Sequence, residues 1–215
     1  MLACLSPFGP PLQQPAAAAP QPNPLQMHAR GSAGRAEVEA FIQTVYRERF
    51  GADVRHFAPT LVSLRDADGS VVAAAGYRAG DDEPLFLERY LDRPIDARLS
   101  ETCQHPVPRH RLVEVGHLAA SRAGAGRLVI ALLGPHLAAQ GFQWVVSTLT
   151  QELRHLFLRL GIAPVALGVA DPELLGDDAA CWGSYYDHRP VVLAGNLDVA
   201  LQALARRGAM ARGAA

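Results

Sequence analysis

The segment that most restricts the fold is residues 111–141. An apolar stretch, LVEVGHLAA at 112–120, runs into a short loop holding Arg122, Gly124 and Gly126, which opens into a second apolar stretch. The first stretch predicts a strand and the second a helix. Glycines let the backbone turn without side-chain clashes, and the first N–H groups of a helix have no partner within it. The helix dipole adds positive potential at the same place. Such a strand–loop–helix unit is an anion cradle, and a pyrophosphate is its natural guest.

The rest of the chain supplies a sheet for this unit. Val38, Phe41, Ile42, Val45 and Tyr46 recur at helical spacing across 36–50, with Gly51 as a stop. Stretches 60–65 and 70–77 flank Asp66-Ala67-Asp68-Gly69, a hairpin signal. Residues 84–92 and 94–101 read as short helices, each led by a proline. A strand at 111–120, a helix at 126–140 and a strand at 143–149 follow. Then come a helix at 150–160 capped by Thr150, strands at 165–170 and 190–194, and a last helix at 197–207. This order predicts an α/β fold with a mixed sheet. Its N-terminal half is mostly antiparallel, its central strands form a parallel β-α-β-α-β run, and helices cover both faces.

Residues 1–35 are rich in Pro, Ala, Gln and Gly without an apolar period. They read as a disordered tail, leaving 36–215 as a single domain.

The charge balance narrows the function. With 20 basic and 21 acidic residues the formal net charge is -1, which argues against a dedicated nucleic-acid binder. Cys4, Cys103 and Cys181 are too few and scattered for a disulfide framework. The longest purely apolar run, 128–133, is too short to cross a bilayer, so no transmembrane segment is expected. The N-terminus lacks a basic region followed by a continuous apolar one, and a cytoplasmic location is expected. Cys103, His105 and His110 match no metal-ligand spacing, so no metal is expected.

The arginine–glycine loop between a central strand and the next helix resembles that of the GNAT superfamily of N-acyltransferases. The superfamily loop, Gln/Arg-x-x-Gly-x-Gly/Ala, holds the pyrophosphate of coenzyme A. Gly124 and Gly126 fit its glycine positions, while Ser121 stands at the Gln/Arg position and Arg122 lies one place late. LFLRLGI at 156–162 is similar to the end of the superfamily's next helix. A closer resemblance is to the thermostable hemolysin family. It is carried by VEVGHLA at 113–119, AGAGR at 123–127, the run 142–175 and WGSYYDHRPVVLAG at 182–195. Members usually have Asn where this chain has His117.

These resemblances imply an N-acyltransferase. The acyl group would come from acyl-CoA or from the phosphopantetheine of an acyl carrier protein, and the acceptor would be a small-molecule amine. Strands 111–120 and 143–149 would splay apart around the pantetheine arm. His117, Leu118 and Ala119 would offer it backbone partners, and Arg122, Gly124, Ala125, Gly126 and Arg127 would take the phosphates. Glu114 sits where many members of the superfamily place a carboxylate base, and burial would raise its pKa for that role. His117 is a second candidate base. Three residues apart on a strand, it and Glu114 should face opposite sides unless a bulge intervenes. The superfamily's proton-donating Tyr would fall at Phe157, which has no proton to give, so Tyr185 or Tyr186 would substitute. Phe86, Leu87, Tyr90 and Leu91 form an apolar stripe that fits a pocket wall or a core face. The family name points instead to a membrane-active protein, for which Leu197, Leu201 and Leu204 beside Arg206 and Arg207 offer the best helix. A GNAT-like binding module without activity is a third reading.

Overall fold

The computed structural model describes residues 24–213. Seven strands form one sheet: β1 (Leu25–Ala29), β2 (Thr60–Arg65), β3 (Val71–Ala79), β4 (Leu112–Ala120), β5 (Trp144–Leu149), β6 (Val165–Val169) and β7 (Val191–Asn196). Their order is β1-β2-β3-β4-β5-β7-β6. The α-helices among the described residues are α1 (Arg35–Phe50), α2 (Ile95–Cys103), α3 (Ala125–Ala139), α4 (Gln151–Arg159) and α5 (Leu197–Gly213).

Local chemistry accounts for most boundaries. The Asp66–Gly69 turn closes the β2–β3 hairpin, and both Asp66 and Asp68 accept from the Ser70 N–H. The Thr150 hydroxyl accepts from Leu153 N at 3.5 Å and caps α4. Residues 84–92, expected as an α-helix, instead form a 3-10 turn at Phe86–Tyr90. Only a single turn fits there, because Pro94 starts α2 immediately afterwards.

Two expectations need correction. First, part of the N-terminal stretch is structured: Leu25–Ala29 is an edge strand, antiparallel to β2. His28 Nε2 lies 2.9 Å from Ser63 Oγ, and Arg35 donates to the carbonyls of His28, Pro59 and Ala58. These buried polar bonds tie the segment down together with the β2 ladder and the buried Leu25. Residues 1–23 of the expected tail lie outside the described residues. Second, the parallel β-α-β-α-β run is reduced to one parallel pair, β4–β5. β7 enters between β5 and β6, antiparallel to both. No crossover helix joins β6 to β7; the intervening 3-10 segments (Pro172–Trp182 and Tyr185–His188) keep the chain at one end of the sheet, so the next strand runs back.

The core lies on both sheet faces. α1, α2 and the Phe86–Tyr90 turn cover one face, where Val38, Ile42, Leu61, Ala74 and Ala119 pack together, as do Leu87, Leu99, Leu112 and Val146. On the other face Val129, Leu133 and Leu137 of α3 meet Val62, Ala75 and Val113, with Leu197 of α5 beside them. The chain just after α4 passes close to Ala203 of α5, so α4 joins this second layer.

Candidate active site

The parallel pairing of β4 with β5 spans Leu112↔Trp144, Val113↔Val145 and Glu114↔Val146, and then stops. Each strand stays paired on its outer side: β4 with β3 as far as Ala120, and β5 with β7 as far as Leu149. The sheet therefore opens in its middle. A cavity of about 290 Å³ occupies the opening, walled by Glu114–Leu118 of β4 and by Val145, Ser147, Thr148 and Leu149 of β5.

A bulge on β4 creates this divergence. Ala74↔Ala119 is followed by Gly76↔Gly116, so His117 and Leu118 together oppose the single residue Ala75. His117 takes φ 54°, a left-handed conformation that Asn and His tolerate better than most residues. This is the bulge that lets Glu114 and His117 share a face: Glu114 meets the Phe86–Tyr90 turn, and His117 meets the His56 carbonyl, both on the side covered by α1 and α2. β3 yields space for the imidazole: a Cβ on Gly76 would lie 2.9 Å from Ala58 Cβ and 3.1 Å from His117 Nδ1.

Glu114 is held at the mouth of the opening. Its carboxylate accepts from Phe86 N at 2.8 Å and Leu87 N at 2.9 Å, with Arg78 Nε at 3.8 Å. Burial pushes its pKa above the ordinary carboxylate value, and the two backbone donors and Arg78 only partly offset this. His117 is perturbed the other way. Burial, reinforced by Arg78 and Arg35, pushes it down to about 4, although the His56 contact works against the shift. Its Nε2–H donates to the His56 carbonyl at 3.0 Å, leaving Nδ1 as a buried acceptor without a partner. Thr148 Oγ1 is likewise buried without a partner.

The two tyrosines differ. Tyr185 lines the cavity, but its hydroxyl donates to the Thr148 carbonyl at 3.2 Å, and burial holds its pKa well above 10. Tyr186 is not among the cavity-lining residues; its hydroxyl meets that of Tyr90 at 2.6 Å. Both belong to an aromatic cluster with Tyr46, Phe50 and Trp182. Gly183 allows the turn that carries them, because a Cβ there would lie 2.1 Å from the Phe50 carbonyl oxygen.

The phosphate-loop candidates follow the C-terminal end of β4, and none of residues 119–127 lines the cavity. Gly124 has φ 88° and starts α3, and the loop 121–124 is exposed. The Ala125 N–H returns to the Arg122 carbonyl. Arg122 forms an ion pair with Asp66 of the hairpin turn, so an anion at the loop would compete with that carboxylate. Leu118 lines the cavity, whereas Ala119 is buried in the core beside α1. Arg127 is exposed on the first turn of α3.

Sequence reasoning passed over Thr148 and Arg78. The available signal was Ser147-Thr148 within an otherwise apolar central strand. A hydroxyl pair there either finds partners or faces a space. Arg78 carries no such local mark, since only the fold brings it to Glu114. The leucines considered for membrane insertion turn inward: Leu197 is buried, and Leu201 and Leu204 line the cavity. Among the described residues no helix is long and apolar enough to cross a membrane.

Comparison with known proteins agrees with this architecture. TofI in an apo form superimposes with a TM-score of 0.59 at 18% identity, over 84% of this chain and 95% of that one. MesI, a CoA-dependent acyl-homoserine lactone synthase, gives 0.53 at 14% identity, over 85% and 94%. FeeM, an N-acyl amino acid synthase from uncultured soil microbes, gives 0.56 at 11% identity, over 82% and 96%. At such identities the likeness is one of fold, and the fold is GNAT-like. No curated protein matches the chain. The sequence model of the thermostable hemolysin family matches residues 28–201, and the chain belongs to that family.

Proposed function

We propose that this protein is an N-acyltransferase that moves an acyl group from a pantetheine thioester to a small-molecule amine. The observation that carries this reading is the parting of β4 from β5 after Glu114↔Val146. A pantetheine arm is narrow, with amide groups along its length. An opening between two strands offers it backbone partners, and the buried, unpartnered hydroxyl of Thr148 suits such a guest. The donor is acyl-CoA or an acylated carrier protein. Gly124, Ala125, Gly126 and Arg127 at the start of α3 meet its phosphate end, and Arg122 joins them by releasing Asp66. His117 and Leu118 flank the arm on β4.

The amine approaches from the Glu114 side. Its nitrogen attacks the thioester carbonyl, an amide C–N bond forms and the C–S bond breaks. The neutral amine gives up one proton to the Glu114 carboxylate, and that same proton is returned, directly or through water, to the departing thiolate, so amide and free thiol form and Glu114 ends ionised as it began. We assign the base to Glu114 rather than His117. Burial raises the proton affinity of the Glu114 carboxylate above that of an ordinary carboxylate, whereas it pushes the His117 imidazole down to about 4, so the carboxylate is the stronger base of the two. Tyr185, with its proton on the Thr148 carbonyl, fixes the shape of β5 rather than donating to sulfur. Tyr186 braces the Phe86–Tyr90 turn through Tyr90. We place the reaction in the cytoplasm.

The test uses the full chain, acyl-CoA or acylated carrier protein, and a panel of primary amines, with amide products read by mass spectrometry. The expected result is amide formation together with thermal stabilisation by the thioester. If no thioester stabilises the protein at millimolar concentration and no amide forms, the reading falls. Loss of red-cell integrity on adding the purified protein alone would favour the membrane-active alternative instead.

A further inference from the structure

The cavity continues through the sheet, and its two ends differ in chemistry. On the Glu114 side its walls include Asp53, Arg55, His56, Arg78, Arg89 and Asp178. On the opposite side, every residue that α3, α4 and α5 contribute to the lining is apolar, among them Leu133, Leu137, Phe157, Leu201 and Leu204. α4 carries the same message independently. It has an apolar stripe that includes Leu153 and Phe157, yet none of its residues is buried. An amphipathic helix normally buries that stripe in a core; this one stands over a hollow.

We infer that the donor's acyl group is an aliphatic chain well beyond acetyl, which passes through the β4–β5 opening into this apolar half. This inference rests on the reading of the opening as a thioester site. A thioester held between β4 and β5 has the charged acceptor side on one face and the apolar chamber on the other. An acyl tail has only the second in which to leave water without stranding charged groups. Gly134 and Leu201 set how far the tail reaches. Both line the chamber, and a Cβ on Gly134 would lie 3.3 Å from Leu201 Cδ2, so a larger residue at 134 must displace Leu201 or itself intrude on the chamber. Glycine is a poor residue for a helix interior, and here it lets Leu201 of α5 approach α3 closely at the chamber wall.

The test measures binding of acetyl-, octanoyl- and dodecanoyl-CoA, and of the matching acyl-pantetheines, to the full-length protein by calorimetry. The pantetheines share the arm and tail of both donor types, and comparison with the CoA series separates the nucleotide's contribution. Affinity should rise about fourfold per methylene until the chamber is full. Gly134→Leu should weaken dodecanoyl relative to acetyl binding by more than about tenfold, the loss of roughly two methylenes. Leu201→Ala should move the optimum to longer chains, and melting curves verify that both variants fold. Equal affinity at every chain length, or an optimum that neither variant moves, overturns the inference and leaves the thioester reading standing. If no thioester binds, the underlying reading fails. Free dodecanoate that binds without competing with dodecanoyl-CoA would make the chamber a separate lipid site and also overturn the inference.

Discussion

β4 has two neighbours and treats them differently. Toward β3 its pairing runs from Val113 to Ala120 and absorbs a bulge on the way; toward β5 it pairs for three residues and lets go. The closed seam is tightly packed, with Gly76 pressed between Ala58, Leu61 and the His117 ring. The open seam leaves buried hydroxyl and carboxyl groups along a cavity. One defect on one strand produces both outcomes: the extra residue that bends β4 along β3 draws it away from β5. Substitutions at the closed seam should therefore act on stability, and those at the open seam on turnover.

The largest expected effect is at the open seam. Glu114→Gln should lower kcat by about 10²–10⁴-fold, the usual contribution of a positioned base, while thioester binding by calorimetry persists. A variant that keeps full turnover would return Glu114 to a purely structural role holding the Phe86–Tyr90 turn. In the unsubstituted protein, turnover should fall on acidification through a pKa above the ordinary carboxylate value, because the protonated carboxyl takes up no further proton.

His117 gives the closed seam a pH signature. Its folded value of about 4 lies below the unfolded 6.5, so between these values the unfolded chain binds the extra proton. Stability should fall as pH drops through that window, by up to about 3 kcal/mol, and be fully present above it. His117→Asn keeps a residue suited to φ 54° and removes the titration. Between pH 7 and pH 4 the urea midpoint of the variant should therefore fall less than that of the native protein, and an equal fall in both would show that the native ring is not buried as described.

Gly76→Val comes next. Its Cβ would press on Ala58, Leu61 and His117, and overpacking should cost about 1–3 kcal/mol in urea unfolding. An equally stable variant would show that the seam is looser than described.

Arg122→Ala should have the smallest effect on stability, about 0–1 kcal/mol, because its ion pair with Asp66 is at the surface. Its informative readout is donor affinity. A loss confined to acyl-CoA, with acyl-pantetheine unaffected, would assign the arginine to the phosphate end of the opening.

Much of this was legible in the residues, and the failures have physical causes. The Asp66–Gly69 hairpin, the Thr150 cap and the glycine entry into α3 are local chemistry, and each appears where the sequence expects it. β1 was missed because buried hydrogen bonds from His28 and Arg35 hold it, and these partners are distant in sequence. The position of β7 was missed because nothing local says which edge a strand joins. In the candidate site, Glu114 and His117 were visible as residues, but their shared face was not: the bulge that rotates His117 depends on what β3 offers opposite it.

The sequence by itself determined the helix and turn boundaries, the family and the glycine loop, since these depend on residues within a few positions of one another. The resemblance implied that β4 and β5 part; tertiary structure alone decided where they part, that an apolar chamber lies behind the opening, and that the leucines of α5 line it. Those outcomes depend on how strands and helices distant in the chain compete for the same backbone bonds and the same space.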